Sequence, residues 1–166
     1  MKRFATSLQS GRNEKRRGVA AVEAAVVLPM FLILTLGTIE MGTALRASTI
    51  MQSATREAGR LVSMKWGNLV EPGDSPNAKV ERDLRNFVTA SGLPGSALVI
   101  TITHADGNKQ GQTFDISDED NDLELVEIKM ELPYSSISLF PTRYMGGKSV
   151  AATLTMRAGL SGGLSN

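Results

Sequence analysis

Residues 19–38 contain one ionisable side chain, Glu23, in an otherwise apolar run that opens Val19-Ala-Ala-Val-Glu-Ala-Ala-Val-Val-Leu-Pro. About 20 such residues are enough to cross the hydrocarbon core of a bilayer as a helix. The run follows a basic flank, Lys15-Arg16-Arg17-Gly18. Ala20, Ala21, Ala24, Ala25 and Gly37 are small residues that let helices approach closely in lipid. Pro29 has no N–H and frees the carbonyl of Ala25, so a kink or local loosening is expected there. A carboxylate near the start of such a run is costly in hydrocarbon and marks a functional position by default. Glu23 is therefore the first candidate residue, and Glu40, just past the run, is the second.

The charge is divided unevenly. Of 18 basic and 17 acidic residues, six bases (Lys2, Arg3, Arg12, Lys15, Arg16, Arg17) and one acid (Glu14) precede Val19. Twelve bases and sixteen acids are left for the rest, so the formal charge of +1 hides a basic leader and an acidic remainder. This placement identifies the leader as the cytoplasmic flank of a membrane helix, with the remainder translocated, rather than a nucleic-acid patch. The chain has no cysteine, which excludes disulfides and thiolate metal sites. At 166 residues there is room for one small domain beside the membrane segment.

Residues 1–17 lack apolar periodicity and read as an unstructured leader, with 1–18 as one segment. From Val19 the apolar pattern passes into Ile39, Met41, Leu45, Ile50, Met51, Ala54, Ala58, Leu61 and Val62 at helical spacing. A single long helix over 19–66 is expected, with 19–40 in the membrane and the amphipathic half outside it. At about 1.5 Å per residue, it reaches about 70 Å. Glycine, asparagine and proline make 67–77 a linker. An α+β unit over 78–158 follows. It has one helix, about 78–90, capped by Asn77 or Ser75 and burying Val80, Leu84, Phe87 and Val88. Alternation predicts strands at 97–104, 123–132 and 149–157, with a short return strand at 112–116. The fold class is α+β: a long N-terminal helix, then a small antiparallel sheet of three to four strands with one short helix. Residues 159–166 form a glycine- and serine-rich tail.

Several chemical motifs fail on inspection. Asp115-Ile-Ser-Asp-Glu-Asp-Asn-Asp122 suggests calcium, but aligned as an EF-hand from Asp118 it has Leu123 at the glycine position and Lys129 at the last. Gly146-Gly-Lys-Ser149 imitates the end of a phosphate loop, but Thr142 occupies the place of its first glycine. His104 is the only histidine, so a metal cluster or histidine-based triad lacks partners. The chain reads as non-enzymatic, with no cofactor and no nucleic-acid partner.

The combination of motifs is more specific than any one of them. Arg17-Gly18 with a glutamate five residues after the glycine resembles the class III signal peptides of type IV prepilins. The longer string Arg16-Arg-Gly-Val-Ala-Ala-Val-Glu-Ala-Ala-Val-Val-Leu-Pro29, with Gly37-Thr-Ile-Glu-Met-Gly42 and Ala54-Thr-Arg-Glu-Ala-Gly-Arg60, resembles the TadE/TadG-like family of the Flp (tight-adherence) pilus. One departure is Ala24, where the family often has an aromatic residue after the glutamate.

The resemblance implies cleavage between Gly18 and Val19 by a membrane prepilin peptidase. It also implies a mature subunit held in the inner membrane, its N-terminus cytoplasmic before cleavage and its C-terminal domain extracytoplasmic. Such a subunit is a minor pilin or pseudopilin acting in pilus assembly, adhesion or biofilm formation. Its partners are the peptidase, other pilus subunits and the inner-membrane assembly platform. Glycine at 18 lets the scissile peptide lie extended close to catalytic groups, and Lys15, Arg16 and Arg17 hold the leader at the anionic cytoplasmic face. Cleavage frees an ammonium on Val19, one helical turn from Glu23. In an assembly, Glu23 can meet the ammonium of a neighbour. One other arrangement stays open, an uncleaved bitopic protein with an extracytoplasmic binding domain; a third, a secreted protein released by ordinary signal peptidase, is disfavoured. The latter lacks a small-x-small site after the apolar run.

Overall fold

The computed structural model describes residues 6–66, 73–139 and 147–161, with side chains from residue 18 onward. The first element, α1 (Thr6–Val62), is a single 57-residue helix with Pro29 inside it. It starts well before Val19, so the leader is helical from Thr6 rather than unstructured. The physical reason is propagation. Leader residues such as Gln9, Arg12, Glu14 and Lys15 are good helix formers, and extending a nucleated helix costs far less than starting one. Beyond α1 the elements are α2 (Pro76–Ala90), β1 (Val99–His104), β2 (Leu125–Pro133) and β3 (Ser149–Arg157), joined by short 3₁₀ turns. Together they form the expected α+β arrangement, with three strands.

The chain separates into two compact units, Met1–Met41 and Gly42–Asn166. Within the first, every described side chain from Gly18 to Ile39 is exposed. The hydroxyls in this stretch bond to their own helix: Thr35 Oγ1 donates to Phe31 O and Thr38 Oγ1 to Leu34 O, both at 2.8 Å. Such back-bonding satisfies each hydroxyl within its own helix.

The second unit has its core on one face of a three-stranded sheet. From α1 it buries Ala47, Met51, Ala54, Ala58, Leu61 and Val62. Their spacing of four and three residues makes one stripe of a helix. Met41 and Leu45, expected on that stripe, are exposed instead, and Ala47 supplies the first core contact. The small residues allow close approach to the sheet. A Cβ added at Gly59 would stand 2.9 Å from Leu154 Cδ2 and 3.2 Å from Met156 Sδ. The end of α1 is tied down by the chain after β3, where Gly159 N donates to Val62 O at 3.1 Å.

Helix α2 starts two residues before the expected 78. Ser75 is its cap, accepting from Ala78 N at 3.2 Å, and Pro76 occupies the first turn, where a missing N–H costs nothing. Pro76, Val80, Leu84 and Val88 are buried at four-residue spacing. The helix ends in a Schellman motif: Gly92 N donates to Thr89 O and Leu93 N to Val88 O, with Gly92 at φ +86°. Arg85 donates from Nη1 to Gly95 O at 3.2 Å and also to Leu98 O, fixing α2 to the start of β1.

The sheet order is β1-β2-β3, antiparallel throughout, with Ile128 opposite both Ile102 and Leu154. Central β2 alternates as its sequence predicts, with Val126, Ile128, Met130 and Leu132 buried. Residues 112–116 do not form a strand. One bridge, Thr103 to Thr113, is all that pairs there, with His104 N donating to Gln112 O and Phe114 N to Ile102 O. The reason lies in Asn77. Its Nδ2 donates to Phe114 O at 2.6 Å and its Oδ1 accepts from Ile116 N at 2.9 Å. One side-chain amide thus takes the place of a neighbouring strand, and it is this clip, not a helix cap, that Asn77 forms.

Candidate functional site

The candidate residues fall on α1. Gly18 and Val19 lie within the helix, and a Cβ at Gly18 would meet nothing within 4 Å. Val19 and Glu23 are both exposed. Helical spacing sets Val19 and Glu23 one turn apart on one face. The side chains of Lys15, Arg16 and Arg17 lie outside the described residues, although their backbone is part of α1. Glu40 is half-buried. The apolar part of α1 passes the length and composition test for a membrane span, and its most apolar 18-residue window is wholly unburied. A buried core helix would meet the first criterion and fail the second.

The segment 54–60 carries the contact of α1 with the sheet. Ala54 and Ala58 enter the core, and Gly59 leaves the notch for Leu154 and Met156. On the outer side Arg60 Nε donates to Glu57 Oε2 at 2.9 Å. That hydrogen bond, more than the charge of Arg60, holds the Glu57 carboxyl below its ordinary range. These residues seat the helix on the sheet rather than forming a reactive centre.

The acidic loop likewise has structural partners. Asp115 Oδ1 accepts from Ser117 N and Oγ, Asp118 Oδ1 accepts from Asp120 N, and Asp122 Oδ1 accepts from Ser161 N at 2.6 Å. Asn121 is buried, donating to Asp115 O at 3.0 Å and accepting from Lys109 Nζ at 3.3 Å. Among the described residues no group of three or more His, Cys, Asp or Glu could hold a metal ion. Gly146 of the phosphate-loop imitation lies outside the described residues.

Three features had no clear signal in the sequence. His104 is buried, its Nδ1 3.1 Å from Glu124 Oε2 and its ring tilted against Phe114 at 4.7 Å between centroids. It is a core histidine with a satisfied nitrogen. Beside it a cavity of about 590 Å³ is lined by Asp106, Lys109, Glu124, Arg157 and the exposed Leu123, the last at φ +61°. A second cavity, about 330 Å³, lies between Arg46 of α1, the turn after α2 and residues 136–139.

An exposed apolar helix leading into a small α+β unit fits the class of single-pass membrane proteins. The family model for TadE-like proteins matches residues 18–60. That match starts at Gly18 and ends at Arg60, covering the apolar run and the half of α1 that carries the sheet. The likeness to TadE-like proteins is confined to this part of the chain. No curated protein and no solved structure matches the chain.

Proposed function

We propose that the protein is a minor pilin or pseudopilin of a tight-adherence pilus, processed between Gly18 and Val19 and anchored in the inner membrane by residues 19–40. The observation that carries this reading is a lone carboxylate, Glu23, near the start of an exposed apolar helix whose family match begins at the glycine to be cut. A helical scissile bond must unwind before a protease can hold it extended. At glycine that costs about 1 kcal/mol less than at alanine. Proteolysis then places an ammonium on Val19. In a neighbouring subunit this group pairs with Glu23, which otherwise would be left unpaired in a low-dielectric layer. The pair sets axial register and recruitment, while the unit from Gly42 faces the extracytoplasmic side.

The test has two parts. Mass spectrometry of protein extracted from its native membrane should give a mature N-terminus at Val19. Glu23→Leu should still be cleaved and inserted, yet fail to co-assemble, as read by pull-down of the other pilus subunits and by piliation. An intact Met1 favours the alternative, an uncleaved bitopic protein with a binding domain. That alternative draws support from the unbroken course of α1 through residues 6–18.

A further inference from the structure

The span accounts for residues up to about 40 and leaves unexplained an apolar and cationic rim on the second unit. Arg46 and Leu45 are exposed on α1, and Leu45 keeps 60% of its surface in solvent. Across the 330 Å³ cavity that Arg46 lines stand Pro94, Ile137 and Leu139, the last 67% exposed. Gly92 allows this arrangement. A Cβ there would stand 2.9 Å from Arg46 Nη2, and its φ of +86° suits glycine alone. Among the described residues, an exposed leucine beside an arginine, both lining one cavity, makes an amphipathic surface.

Chain continuity indicates what meets it. Arg46 lies one helical turn beyond Gly42, about 6 Å. Gly42 is joined to Met41 by a peptide bond, with its Cα about 3.8 Å away. However the two units are disposed, Arg46 Cα is therefore within about 10 Å of the last residue of the apolar unit. The headgroup layer extends about 5–8 Å beyond the hydrocarbon on each side. A long arginine side chain reaches back into it while its stem lies along apolar surface.

We propose that this rim is a second membrane contact: Arg46 binds phospholipid headgroup phosphate in the outer leaflet of the inner membrane, and Leu139 inserts at the boundary between headgroups and acyl chains. The contact rests on the reading of residues 19–40 as a span. It uses the interfacial chemistry of amphipathic anchors.

The absence of cysteine makes the test clean. The full chain is reconstituted in vesicles of phosphatidylethanolamine and phosphatidylglycerol, with a single environment-sensitive fluorophore on Leu139→Cys, Phe31→Cys or Asn108→Cys. Lipid carrying a quencher near the headgroup should quench the label at 139 and leave that at 108 unaffected. Adding Arg46→Glu should abolish quenching at 139. Quenching at 139 no greater than at 108, with the label at 31 immersed, overturns the rim contact and leaves the span standing. A label at 31 that stays in water overturns the span itself. Protection at 139 that depends on protein concentration rather than on quencher lipid assigns the rim to a second copy and overturns the proposal.

Discussion

At the residue scale, single atoms hold the second unit's irregular parts in place. Asn77 is the clearest case. Its amide satisfies a carbonyl and an N–H in a segment too short to pair as a strand. Asn77→Ala leaves both backbone groups without that partner and should cost about 1–3 kcal/mol, measured by urea denaturation. Asn77→Asp removes the donor to Phe114 O and should also destabilise, despite the near-identical shape. The sequence could not show this, because an asparagine beside Pro76 reads equally well as a cap, and the distinction depends on residues 37 and 39 positions away. The ion pair of Asp74 with Arg82, at 2.6 Å, is similar in kind. The hydrogen bond from Arg82 is the leading reason that the Asp74 carboxyl titrates below its ordinary range.

At the scale of elements, β3 stands out. Tyr134 N donates to Lys148 O, and Ala158 N to Glu124 O. These bonds fix the phase of the β2–β3 ladder. Val150, Ala152, Leu154 and Met156 direct their backbone groups toward β2, while Ala151, Thr153 and Thr155 direct theirs outward. Among the described residues no strand lies on that outer side. Thr153→Pro should therefore be tolerated far better than Leu154→Pro, which removes a ladder bond and a side chain from the helix–sheet contact. The expected gap is at least about 2 kcal/mol in thermal or urea unfolding. The strand's alternation was visible in its sequence, but its place at the edge was not, since strand order follows from the partners β2 accepts.

At the scale of the whole molecule, the boundary between compact units falls inside the long helix, at Met41 and Gly42, rather than in the glycine- and proline-rich stretch at 67–77. The α+β unit takes six buried side chains from α1, and Trp66 after it is buried as well. A fragment beginning at Gly42 should thus fold and unfold cooperatively. One beginning at residue 73 should not, since β2 and α2 lose the layer that covers them. Circular dichroism melts of the two fragments check this. Comparable cooperative unfolding of both would show that the sheet and α2 make a sufficient core without α1.

The long helix, the class of the fold and the two helices' apolar stripes were legible because each depends on periodicity within one segment. Glu23 likewise stands out as a lone carboxylate in an apolar run without knowledge of any neighbour, and the structure leaves it exposed on α1; its role is part of the proposal. Other features had to wait for the tertiary structure. The leader joined the helix because propagation outweighed its weak local pattern. Asn77 became a strand's substitute because α2 passes beside residues 114–116. Arg46 and Leu139, 93 residues apart in sequence, meet across one cavity because the turn after α2 and the turn after β2 both come to rest against α1. Sequence alone determines what depends on spacing along the chain, while packing decides which distant side chains share a surface.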